Sequence, residues 1–189
     1  MHTRKEALVD SIVAYLLEHG LADLSLRPLA AATHTSARLL IYHFESKEGL
    51  LAEVLEAMQT RLRQSFSRLL ERPPTRGVIK PPLKLLWEWA IAPKNFAYLK
   101  LLYELQILAV QNPNVYAQYL QRNTANWSEL VLALLPAQER DPAFATLCVA
   151  VFDGLFIELM STGDRKRTTQ AIDQFIRIVG DARTNRARA

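Results

Sequence analysis

Apolar positions recur every three or four residues along most of the chain, and residues that stop helices punctuate each run. Between 4 and 19, Ala7, Leu8, Ser11, Ile12, Tyr15 and Leu16 share one side of a helix, and Gly20 fits the position just past its end. From Ser25, a candidate N-cap, Leu26, Leu29 and Ala30 form a short apolar face, with Pro28 in the first turn where its missing N–H costs little. Thr33-His34-Thr35 breaks that run, and Ser36 caps a second short helix, 37–44. Ser46 then caps a long one, 47–70, on which Leu50, Leu51, Val54, Leu55, Met58, Leu62, Phe66, Leu69 and Leu70 keep one stripe.

The second half of the chain repeats the pattern with proline as the punctuation. Pro73, Pro74, Pro81 and Pro82, together with Gly77, make 71–82 a non-helical connection. Helices are predicted over 83–92, stopped by Pro93, and over 94–111. Asn112-Pro113 then offers an N-cap followed by proline at the first helical position, for a helix running to Leu135 and stopped by Pro136. Asp141-Pro142 repeats that start for a helix to about 161, and after Thr162-Gly163-Asp164 a last helix runs from about 165 to 181. The prediction is an all-α chain of about nine helices with no strand and no internal repeat.

Two short helices joined by a tight turn form a helix-turn-helix, whose second helix enters the DNA major groove. At 100° per residue, Leu40 and Phe44 point one way with Ala37 and His43 beside them, so these face the core. Arg38 and Tyr42 point away, with Leu39 and Ile41 at the sides. A guanidinium can pair with guanine edges or phosphates, and a phenol can reach a phosphate. Lys47, Arg27, Thr35 and Ser36 complete the candidate DNA contacts. The predicted organisation is a DNA-binding head over 1–46 and a helical body over 47–189. The helix 47–70, about 36 Å long at 1.5 Å per residue, is the rod that joins them.

Charge supports this reading only locally. The 189 residues carry 23 Lys and Arg against 19 Asp and Glu, a net +4, with a pI near 9.3. The first seventy residues hold as many acids as bases, but between Ser25 and Phe44 there are two arginines, Arg27 and Arg38, and no acid. Much of the basic excess sits at the end, from Arg165 to Arg188, where a solvated terminus accounts for it.

The run Leu40-Ile41-Tyr42-His43-Phe44, followed by Glu45-Ser46-Lys47-Glu48-Gly49-Leu50-Leu51, resembles the TetR/AcrR family of transcriptional regulators. The motif spans about residues 8–55; beyond it the likeness is one of length and helical texture. Two positions depart from the family pattern. Ile41 stands where an aromatic is usual, and His34 stands where the turn has glycine, so His34 must take an unusual backbone angle or the turn must differ. The resemblance implies a homodimer on a palindromic double-stranded operator and a small-molecule effector bound in the body, with release from DNA as the usual outcome.

The body supplies material for both roles. Trp87, Tyr103, Gln106, Asn123, Trp127, Phe152 and Phe156 are candidate effector-pocket residues, mostly greasy with a few polar groups, which suits an apolar or aromatic ligand. The helix beginning at Pro142 is apolar over most of its girth, and Gly154 in its middle makes sense if another helix comes close. Leu147, Val151, Gly154, Leu155, Ile172, Phe175 and Val179 are the candidate dimer interface, a four-helix arrangement; burial within one subunit is the alternative that periodicity leaves open.

Catalytic signatures are missing. The four histidines have no metal-ligand spacing, and there is no phosphate loop and no nucleophile elbow. The expectation is no enzyme, no cofactor and no metal. Glu104 and Glu158 are pocket acids or, more simply, peripheral carboxylates. Cys148, the one cysteine, lies in an apolar run and reads as a buried thiol in a reducing compartment. No signal peptide is read, and no stretch is judged to reach the 18 or so apolar residues of a membrane span, so a cytoplasmic protein is expected. A regulator without an effector, an activator, or a helical enzyme or interaction module keeping the head as scaffold remain alternatives.

Overall fold

A computed structural model describes residues 4–22, 24–71, 80–135 and 140–186, with the side chains of 122–126 and 181–186 outside that description. Among the described residues the chain forms nine helices and no strand: α1 Arg4–His19, α2 Leu26–Ala32, α3 Ala37–Phe44, α4 Lys47–Leu70, α5 Pro82–Ala90, α6 Pro93–Gln111, α7 Ala117–Leu134, α8 Pro142–Thr162 and α9 Arg165–Arg186. The proline-rich connection 72–79 and Pro136 lie outside the described residues.

Helix boundaries follow local chemistry, with informative exceptions. Ser36 Oγ accepts the Leu39 N–H at 3.1 Å, Ser46 Oγ accepts the Gly49 N–H at 2.9 Å, and Asp141 Oδ1 accepts the Ala143 N–H at 2.9 Å. Ser25 sits at the N-cap of α2 in an extended conformation but makes no side-chain cap bond. Pro93 opens α6 instead of only closing α5, as its missing N–H permits. The expected start of α7 at Pro113 is wrong. Asn112 turns backward, its Nδ2 donating to Leu108 O and its N–H to Ala109 O, so it closes α6. Residues 113–116 form turns, and α7 begins at Ala117.

Two compact units emerge, one of 1–68 with 93–122 and one of 69–92 with 123–189. The division by packing thus leaves most of α4 with the head, whereas the expected division by role falls at residue 46. In the first unit, Ile12, Val13 and Leu16 of α1, Leu29 of α2, Leu40 and Phe44 of α3, and Leu50, Val54 and Leu55 of α4 are all buried. Two ion pairs, Lys5–Glu53 and Arg61–Asp10, tie α1 to α4, and Lys5 Nζ also lies 5.2 Å from the centre of the Phe44 ring. Being well exposed, each pair contributes at most about 1 kcal/mol. Gln59, only 4% exposed, interrupts the apolar stripe of α4. It donates to the Tyr119 hydroxyl at 3.0 Å, and that hydroxyl donates to Gln106 Oε1. Burial pushes the Tyr119 pKa up and keeps the phenol a neutral donor.

In the second unit, Val131, Ala145 and Cys148 form a core on which Leu83, Leu132, Phe144, Val149 and Phe175 pack. The Cys148 pKa is pushed up to about 11 by burial, so its thiol is protonated at neutral pH. Polar links join α5 to α9: Trp87 Nε1 donates to Thr169 Oγ1 at 3.0 Å, and Lys84 Nζ pairs with Asp173 at 2.5 Å. One sequence judgement is overturned here. α8, at 21 residues, is long and apolar enough to cross a membrane by length and composition. Asp153 and Glu158 are its only charged residues.

The turns flanking α3 hold two strained positions, His34 before it and Glu45 after it. Thr35 N–H bonds Ala30 O at 2.9 Å and His34 N–H bonds Ala31 O at 3.2 Å, the paired closure of a Schellman end, with His34 in the left-handed position at φ 52°. At the other end, a Cβ placed on Gly49 would lie 2.2 Å from Phe44 O, a distance at which the backbone itself must shift. Replacing His34 by Gly should raise unfolding free energy by about 1 kcal/mol, since the left-handed strain disappears. Gly49→Ala should lower it by about 1–3 kcal/mol, as overpacking does. Urea denaturation followed by circular dichroism checks both; a neutral Gly49→Ala would show that the corner yields freely.

Candidate nucleic-acid interface

α3 is short enough that its whole outer surface is set by which side is buried. Leu40 is 0% and Phe44 3% exposed, and they anchor α3. On the opposite side Arg38 is exposed and Tyr42 is 79% exposed, as the helical wheel requires. Ile41 is 41% exposed beside them, and Leu39 is half-buried. The Tyr42 ring meets His43 edge-on at 5.3 Å, and His43 meets Phe44 in the same way at 6.3 Å, so the phenol stands on a chain of rings that ends in the core.

The other candidate contacts divide. Arg27, on the first turn of α2, is exposed. Ser36 is exposed, and while its Oγ accepts the Leu39 N–H its own O–H stays available to donate. Lys47 donates from Nζ to Leu24 O at 2.6 Å, pinning the start of α4 to the loop before α2. An ammonium has three N–H groups, so two remain for another acceptor. Thr35 is the exception. Its hydroxyl oxygen is buried with no hydrogen-bond partner among the described residues, and its N–H closes α2. Thr35 therefore shapes the turn and does not present a group outward.

The seven effector candidates are not brought together. Trp87 and Phe156 are wholly enclosed, with Phe152 set edge-on to Trp87 at 5.7 Å and stacked on Phe156 at 6.2 Å; these are core rings of the second unit. Trp127 is half-buried in that unit, Tyr103 and Gln106 belong to the first, and the Asn123 side chain lies outside the described residues. A cavity of about 330 Å³ does occur in the second unit. It is lined by Pro81, Pro82, Leu83, Leu134, Leu135, Ile176, Val179 and Gly180, and includes none of the seven. Aromatic content located the core, and the cavity lies where aliphatic helix ends meet. Glu104 is exposed and Glu158 pairs with Arg167, so both are peripheral carboxylates.

The interface candidates also separate. Leu147 is 50% exposed and Gly154 is exposed, with no atom within 4 Å of a Cβ placed there. Val151 and Leu155 are half-buried. Ile172 is 2% exposed, Phe175 packs on the Cys148 core, and Val179 lines the cavity, so these three serve the subunit itself. Sequence reasoning missed Ile157 and Ile178, 48% and 57% exposed. The signal was present in the spacing Leu147, Gly154, Ile157, which follows one helical edge. Among the described residues no group of His, Cys, Asp and Glu could hold a metal ion.

A helix backed by the core and presenting arginine and tyrosine, preceded by a Schellman-closed helix, is the arrangement of a helix-turn-helix. Residues 6–54 match the sequence model of the bacterial regulatory proteins of the tetR family. A transcriptional regulator from Rhodococcus sp. Rha1 superposes with a TM-score of 0.75 at 18% identity, over 95% of this chain and 97% of that one. The multidrug binding protein EbrR complexed with ethidium gives 0.70 at 22%, over 90% and 96%. A TetR-family member from Streptomyces coelicolor A3 gives 0.63 at 25%, over 90% and 96%. No curated protein matches at a significant level. Over residues 6–54 the chain is thus similar in sequence to the tetR regulatory proteins, and over 90% or more of its length it has the fold of these solved structures.

Proposed function

We propose that the protein is a homodimeric repressor that holds a palindromic operator and lets go when a small apolar or aromatic molecule binds its body. The observation that carries the DNA half is the outward Arg38–Tyr42 edge on a helix whose other side is buried. Arg38 reads a base edge; Tyr42, Lys47, Arg27 and Ser36 reach the phosphate backbone. Residues 1–46 act as the head, 47–70 as the connecting rod and the remainder as the effector and dimer body. Such a protein works beside the chromosome, in the cytoplasm.

The uncovered edge of α8 supports the dimer. Leu147, Gly154 and Ile157 face outward without a partner among the described residues, and α9 adds Ile178. A second copy of α8 and α9 meeting this edge would cover it, and Gly154 lets backbones approach. Two heads held in this way would address half-sites about 34–36 Å apart. An effector that binds better when the heads are differently spaced shifts the population away from the DNA-competent form. EbrR, described as multidrug-binding, supports an effector of this chemistry.

Three measurements test the proposal. On an operator selected from random DNA, Arg38→Ala should cost about 1–3 kcal/mol, while Lys47→Ala should weaken all sequences alike and reduce the salt slope by about one. Unchanged operator affinity in Arg38→Ala would refute its assignment. Leu147→Glu should convert a dimer to a monomer in sedimentation and abolish tight operator binding; a monomeric parent protein would end the dimer reading. Titrating non-intercalating aromatic compounds into the labelled complex should release DNA with at least one of them. If none releases it or raises the melting temperature, the effector part fails.

A further inference from the structure

The recognition helix carries one exposed side chain that the contacts above leave without a role. Ile41 is 41% exposed, and at 100° per residue it lies 60° around α3 from Arg38, on the rim of the outward face. It is not a filler for the head: Leu40 and Phe44 bury the inner side without it. It cannot donate or accept a hydrogen bond, so it has nothing to offer a phosphate oxygen. An aliphatic group held against water on this face gains only if binding covers it with something apolar. In the major groove the edge of thymine presents an apolar group, its C5-methyl.

We propose that Ile41 is a specificity-determining residue that reads a thymine through its C5-methyl, adjoining the base read by Arg38. This rests on the DNA-binding reading above. The three outward residues then divide the work by chemistry. Arg38 supplies paired donors, Tyr42 a hydroxyl for the backbone, and Ile41 an apolar surface that discriminates thymine from cytosine and uracil. Leu39, half-buried on the other flank, is less available.

The test removes one methyl group at a time. An operator is selected from a random pool, each dT is replaced singly by deoxyuridine, and dissociation constants are measured for the parent protein and for Ile41→Ala. Circular dichroism and binding to bulk non-specific DNA verify that the variant is folded. The expected result is one position in each half-site where deoxyuridine weakens the parent protein about three- to tenfold, with that loss absent in Ile41→Ala. At the same position, a 5-methylcytosine·guanine pair should bind the parent protein more tightly than the unmethylated pair. Enrichment of a defined operator with no deoxyuridine effect at any position, or with an equal effect in Ile41→Ala, overturns the proposal and leaves the DNA-binding reading standing. Failure to enrich any sequence overturns both.

Discussion

The corner between α3 and α4 fixes where the exposed face of α3 points. Phe44, at the end of α3, is buried, with the ammonium of Lys5 over its ring. Its carbonyl oxygen accepts the Ser46 N–H at 2.7 Å and sits where a side chain on Gly49 would have to go. Glu45 between them takes φ 65°, left-handed and costly for a residue with a Cβ. Such strain persists only when the surroundings over-determine it. Here Leu40 and Phe44 on one side, and Leu50, Leu51 and Val54 on the other, hold both helices against the core of the head. With its inner side pinned, the outward display of Arg38, Ile41 and Tyr42 needs no contact of its own.

Lys47 shows how a single residue can serve two demands. Its bond to Leu24 O closes the loop that leads into α2, and the same bond orients the cation proposed above to meet a phosphate. Pre-organisation of this kind lowers the entropy lost on binding. Further along α4, Gln59 meets Tyr119 and Gln106 in a buried chain of hydrogen bonds among aliphatic residues. Each polar atom so enclosed is expensive to leave unpaired, which makes the geometry of α4 against α6 and α7 more specific than apolar packing alone would.

The second unit has a different economy. Trp87, Phe152 and Phe156 fill its interior, and Thr169 and Asp173 on α9 satisfy the indole and lysine that α5 brings. What stays uncovered is an edge of α8 whose apolarity suffices, by length and composition, for a membrane span.

The all-helical class, the helix-turn-helix and the face of α3 were legible in the sequence because each depends on neighbours three or four residues apart. Ser36, Leu40 and Phe44 settle that face locally, and Asp141-Pro142 starts α8 as read. Asn112 misled because an asparagine before proline can cap either way, and the preceding carbonyls of Leu108 and Ala109 were in reach.

The sequence by itself determined the period of its apolar residues, and with it the all-helical class and the charged and phenolic edge of α3. Only the tertiary structure decided what distance along the chain cannot encode. The Thr35 hydroxyl is turned inward, Trp87 and Phe156 are core and not pocket, Ile172 is spent inside the subunit, and Gly49 is required by a carbonyl five residues back. Periodicity reports which side of a helix is apolar; which neighbour covers that side depends on packing among helices far apart in the chain.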